Sequence, residues 1–120
     1  MTAFQDKLRG LIALHCASLR EEVQDLREVL ARLRPPAGEA GGAISEGAGL
    51  VHKIKGSSGS IGFHEVGAVA QELETLLRGL ERAGGTPDAG GIARALALVS
   101  ELDALVAELR PEQSALYHAG

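Results

Sequence analysis

Apolar residues return every three or four positions along most of this chain. Phe4, Leu8, Leu11, Ile12, Leu19, Val23, Leu26, Leu30 and Leu33 do so first, with His15 in the same line. That is the period of a helix with one buried face. It predicts a first helix over about 2–33. Thr2 is placed to cap its start, and Glu28 and Arg32 form a favourable i,i+4 pair. Pro35-Pro36 stops it, because proline cannot continue the helical ladder and restricts the residue before it. Gly10 is a weak point, where a short extra N-terminal helix could break from the main one.

Small residues over 37–42 predict a linker. A second helix is expected over about 45–61, with Ser45 as its cap and Gly62 as its stop. A third, over about 63–83, carries Val66, Val69, Ala70, Leu73, Leu76, Leu77 and Leu80 on one stripe. Thr86-Pro87-Asp88 is a start signal: a capping hydroxyl, a proline in the first turn and an acid near the positive end of the dipole. It opens a fourth helix over about 87–109, with Pro111 closing it. The tail, 111–120, is too short and mixed to assign. Nothing alternates with period two for long enough to suggest a sheet. Four amphipathic helices on short connections predict one all-α domain over 1–120, an antiparallel up-and-down four-helix bundle.

Composition narrows this further. Hydrophobic residues make up 45% of the 120 positions but aromatics only 2%, so the core must be aliphatic. The formal net charge is −4. With no basic tract and no stacking aromatics, nucleic acid is not an expected partner. No apolar run approaches the ~20 residues that span a bilayer, so no membrane role is expected. Cys16 is the only cysteine, which excludes an intrachain disulfide and suits a reducing cytoplasm. His15, His64 and His118 have no zinc-motif spacing and are assigned structural or surface roles.

His52 stands in different company. Val51, Ile54 and Ile61 keep helical spacing through the run HKIKGSSGSIG. On a helix, His52, Lys55, Gly56 and Gly59 share one face, and Ala48 and Gly49 extend it. An imidazole and an ammonium would then stand on a strip almost bare of side chains. Each helical glycine costs about 1 kcal/mol relative to alanine. Either the glycines admit another molecule's surface, or they allow close helix packing. Ser57 and Ser58 fall toward the apolar side, where small residues let the helix pack. Lys55, one turn from His52, could neutralise charge on a phosphoryl group carried by the ring.

The run resembles the signature of histidine-containing phosphotransfer (HPt) domains at His52, Lys55, Gly56, Ser57, Ser58 and Gly62. Gln71-Glu72-Leu73-Glu74 in the next helix is similar to that family as well. The resemblance implies a four-helix bundle with the phosphorylated histidine, His52, exposed midway along the second helix. It implies a carrier that takes a phosphoryl group from a receiver-domain aspartate and passes it to another receiver, with no kinase activity of its own. No cofactor is expected on this domain, since magnesium comes with the receiver. The implied partners are receiver domains and a hybrid histidine kinase, with the domain itself a monomer. Lys55 would stabilise phosphoryl charge. Ala48, Gly49, Gly56 and Gly59 would give docking clearance.

Phosphoryl chemistry on imidazole needs one nitrogen to attack and the other to hold its proton against an acceptor. Glu74 on the third helix is the preferred acceptor and Gln71 the second choice. Glu74 could instead be a surface ion pair with Arg78 at i+4. Two other readings stand beside the carrier. The chain could be the phosphoacceptor domain of a chemotaxis-type kinase, in which a glutamate commonly partners the histidine and which Gly62-Phe63 also resembles. It could be a helical interaction module without phosphoryl chemistry, against which the intact His52 and Lys55 argue.

Overall fold

The computed structural model describes residues 2–33, 40–83 and 89–118. Helix α1 spans Ala3–Leu30, α2 Ala40–Ile61, α3 His64–Arg82 and α4 Ala89–Ala107. Consecutive helices pack on one another, and α1 also meets α4, so the four close into a ring. Cross-links fix the directions. Glu22 of α1 and Arg32 just past its end pair with Lys53 and Glu46 of α2, His52 and Lys55 of α2 meet Glu74 and Gln71 of α3, and Arg20 and Arg27 of α1 meet Val106 and Asp103 of α4. As one helix ascends in number its neighbour descends, which is the antiparallel bundle expected. The core is aliphatic: Ile12, Leu19, Leu26, Ile44, Ile54, Leu73, Leu77, Leu98 and Leu102 are all buried.

Helix α1 begins on a reciprocal cap. Thr2 Oγ1 accepts from the Gln5 amide at 3.1 Å, and Gln5 Oε1 accepts from the Thr2 amide at 3.0 Å, which satisfies two of the free donors of a helix start. The helix then runs unbroken through Gly10, so among the described residues no separate N-terminal helix breaks from it. It tightens into a 3-10 turn at Ala31–Leu33. The Pro35-Pro36 stop lies outside the described residues.

Helix α2 starts at Ala40, ahead of the expected start, and Ser45 is not its cap. Ala43 and Ile44 are buried, so the apolar stripe continues past Ser45, and tertiary packing outweighs the poor helix propensity of Gly41 and Gly42. Ser45 instead hydrogen-bonds Glu81 on α3 and helps hold that carboxyl below its ordinary pKa. Gly62 ends α2 as expected, with φ at +83°. The Phe63 amide donates to Ser58 O at 2.9 Å and the Gly62 amide to Gly59 O at 3.3 Å, the Schellman arrangement.

The Thr86-Pro87-Asp88 start signal falls outside the described residues. Helix α4 ends at Ala107, two residues before 109. Arg20 of α1 donates to carbonyls at its end and just past it, with Nε on Val106 O at 3.0 Å and Nη2 on Leu109 O at 2.7 Å. Pro111 then opens a 3-10 turn, and the unassigned tail folds back. Ser114 is buried and its hydroxyl donates to Ile61 O. The Ala115 amide donates to Gly62 O at 3.1 Å. A Cβ at position 62 would meet Ala115 N at 2.9 Å, so this turn needs glycine for its space as well as its φ. Arg9 donates to Tyr117 O and lies 4.2 Å from that ring's centroid. No helix among the described residues is long and apolar enough to cross a membrane.

Candidate functional site

The α2–α3 seam gathers the predicted polar residues. His52 leaves α2 midway, its side chain 64% exposed, with Nδ1 2.8 Å from Oε2 of Glu74. Glu74 is buried. Its other oxygen lies 2.8 Å from Lys55 Nζ. Lys55 also donates to Gln71 Oε1 at 3.1 Å, and Gln71 donates on to Thr75. Arg78, one turn beyond Glu74, brings Nε to 3.9 Å from Oε2 and pairs with Glu81 at 3.2 Å. So Glu74 meets the ring and Gln71 meets the lysine. The Arg78 contact is present too, as the longest of the three on that carboxylate.

The Glu74 carboxyl titrates below its ordinary range. The Lys55 contact is the largest cause, partly opposed by burial, and the His52 hydrogen bond adds to it. An ionised carboxylate only accepts hydrogen bonds. Nδ1 of a neutral His52 therefore carries the proton, and Nε2 is left with the lone pair. The arrangement can orient the ring, fix its tautomer and offset positive charge that develops on it.

The glycines on this face fill no internal space. A Cβ added at Gly49, Gly56 or Gly59 would meet nothing within 4 Å, whereas one at Gly47 would come 2.7 Å from the Leu30 side chain. Close helix packing thus accounts for Gly47 and leaves the other three open to an approaching surface. Ala48 does not belong with them. It was expected on the docking face and is fully buried. Four residues make a full turn plus about 40°. Stepping back from His52, that excess turns Ala48 toward the core; stepping forward, it turns Gly56 outward. Ser58 is fully buried and donates to Ile54 O at 2.7 Å, while Ser57 is half-buried.

Other residues of this side carry no motif. Among the described residues, Phe4, Leu11 and Leu14 are the exposed large apolar side chains, at 64%, 53% and 65%. Phe4 and Leu11 were expected in the core stripe. At 100° per residue they fall well off the Ile12–Leu19–Val23 line, and a stricter angular reading would have set them apart. Phe4 and Leu11 share a helix edge with Glu22, which meets Lys53 at 3.8 Å, next to His52. The apolar edge of α1 therefore lies on the Lys53 side of α2, toward and past its Ile61 end. Among the described residues no group of His, Cys, Asp and Glu could hold a metal ion. His64 is exposed, and His118 stacks edge-on against Tyr117 at 5.0 Å.

Compared with known families, residues 10–111 match the family model described as "Hpt domain". No curated protein and no solved structure gave a match.

Proposed function

The chain belongs to the Hpt domain family, which serves histidine phosphotransfer in two-component signalling, and from that premise we propose that it is a phosphorelay carrier. It takes a phosphoryl group from a receiver-domain aspartate onto His52 and passes it to a second receiver. Nε2 attacks phosphorus in line. The N–P bond forms as the P–O bond to the aspartate breaks, and the aspartate carboxylate leaves. The Nδ1 proton stays against Glu74, which offsets the charge gained by the ring. Lys55, held beside the ring by Glu74 and Gln71, neutralises charge on the phosphoryl oxygens. The reverse steps deliver the group to the next receiver. Magnesium belongs to the receiver, and the carrier works as a cytoplasmic monomer.

The observation that carries this reading is the Nδ1–Glu74 contact on an exposed histidine, beside glycines that fill no internal space. The apolar edge of α1 supports docking of a protein surface rather than a small phosphate donor. The test is to mix the protein with phosphorylated receivers and magnesium. Acid-labile, base-stable phosphate should appear on His52, and Lys55→Ala should slow its arrival without unfolding the bundle. If no receiver from the same cell labels the wild-type chain, the carrier role is refuted.

Glu74 as the acceptor also favours the chemotaxis-type phosphoacceptor reading, in which the donor is an ATP-binding kinase domain. Labelling by such a kinase with ATP, and by no receiver, would select it.

A further inference from the structure

We propose that the groove between the start of α3 and the end of α4 is a second docking site, for a cationic amphipathic helix of a partner protein. Its volume is about 640 Å³, within the ~300–1,000 Å³ of binding pockets. The floor is apolar: Phe63 and Val66 from the α3 side, Leu105 and Leu109 from the α4 side. Three exposed glutamates, Glu65, Glu101 and Glu108, stand on the rim, with His64 and Gln113.

The carboxylates distinguish this groove from the closed seams. Each of those carries a cross-helix ion pair: Lys53–Glu22 between α1 and α2, Lys55–Glu74 between α2 and α3, Arg27–Asp103 between α1 and α4. The α3–α4 seam is closed in the same way higher up, by Arg94 on Glu72. Lower down, where it opens, none of the three glutamates meets a cation of this chain among the described residues. An apolar floor under unpaired carboxylates is complementary to a surface that is apolar along its centre and basic along its edges.

The dimensions fit a helix. Glu101 stands in the last two turns of α4 and Glu108 just past its end, seven residues on, about 10.5 Å at the helical rise. Apolar side chains at i, i+3 and i+7 of a docked helix would span the floor, and lysines a heptad apart would face the two glutamates. Glu65 closes the opposite rim. Glu65 lies nine residues before Glu74, half a turn out of phase, so on α3 the groove and the His52 site occupy opposite edges. A partner held here would leave the reactive histidine free.

The test titrates the full chain, amide-labelled for NMR, with an 18-residue peptide of leucine and lysine in amphipathic helical order, and with a scrambled peptide of the same composition. The ordered peptide should bind saturably, move amides near Phe63–Val66 and 101–109, and leave His52 open to phosphorylation by phosphoramidate. The double variant Glu101→Lys, Glu108→Lys, at two exposed positions, should weaken binding at least tenfold with unchanged helix content. Equal binding by the scrambled peptide, equal binding by the variant, shifts confined to the α1 edge or the His52 face, or no saturable binding at millimolar peptide would each overturn the proposal.

Discussion

On the α3 side of α2, the mostly buried Glu74 carboxylate meets His52 and Lys55 at 2.8 Å each and Arg78 at 3.9 Å. On the α1 side, the mostly buried Glu22 carboxylate has Lys53 as its ion pair, at 3.8 Å. Both flank the same helix, one turn or less from the same histidine. Yet Glu74 titrates below its ordinary value and Glu22 above. Desolvation acts on both. At Glu74 the Lys55 and His52 contacts outweigh it; at Glu22 it outweighs Lys53 and His15, and Asp25 adds to it. The comparison separates a seam that keeps its carboxylate ionised to hold an imidazole from one that merely tolerates a carboxylate.

The strongest test removes what the first seam serves. His52→Gln keeps a polar side chain on an exposed site but has no ring nitrogen to attack phosphorus. Phosphate uptake should fall to background, measured as acid-labile label after mixing with phosphorylated receiver. Label persisting at the wild-type rate would break the comparison at its root.

Next comes the acceptor. Glu74→Ala should lower the transfer rate by roughly 10²-fold, the scale of a lost acid–base orienting group. Glu74→Gln should fall between Ala and wild type, since its amide oxygen still accepts from Nδ1–H but no longer draws Lys55. The tautomer, read from imidazole ¹⁵N shifts, should hold in Gln and become mixed in Ala. The pH dependence has a defined sign. The folded pKa of Glu74 is depressed, so its stabilisation is complete above the ordinary value of 4.5 and is lost as pH falls through the folded value. The stability difference between wild type and Glu74→Gln should therefore close on acidification below that point.

Gly56→Leu separates fold from docking. The position has no neighbour within 4 Å of an added Cβ, so a helix-favouring side chain should raise stability, by up to about 1 kcal/mol. Transfer from a receiver should nevertheless drop tenfold or more, which is a clash of only ~1.4 kcal/mol. Phosphorylation by phosphoramidate, which needs no docking, should be unchanged. A slower phosphoramidate reaction would place the glycine in the chemistry instead.

The α2–α3 seam was largely legible in the sequence because its residues are tied by short spacings on regular helices. His52, Lys55 and Gly56 lie within two turns of one helix, and Glu74 follows in phase on the next. The four helices were legible for the same reason. The α1–α2 seam was not. Glu22 carries no motif, and its partner Lys53 is distant in sequence. Phe4 and Leu11 were misplaced because spacings of three and four were counted without summing the 100° steps, which set both well off the Ile12–Leu19–Val23 line. Ala48 was misplaced because helical repeats of four drift by about 40° each. The tail was opaque since Ser114 and Ala115 are ordered by Ile61 and Gly62, some fifty residues away.

The smallest expected effect lies at Glu22 itself. Its folded pKa is raised above the ordinary 4.5. Between those two values the folded chain holds a proton that the unfolded chain has released, so stability falls as pH rises through the window. Glu22→Gln removes that loss. It also removes the Lys53 contact, worth at most about 1 kcal/mol for so exposed a lysine. The net gain at neutral pH should be correspondingly small. It should be absent below pH 4.5, where both forms of the wild type are protonated, and chemical denaturation at two pH values would read it. Phosphotransfer should be unaffected, because nothing in the His52–Glu74–Lys55 set touches Glu22. A drop in transfer with Glu22→Gln would mean that the two seams of α2 are coupled through Lys53, and the contrast between them would no longer hold.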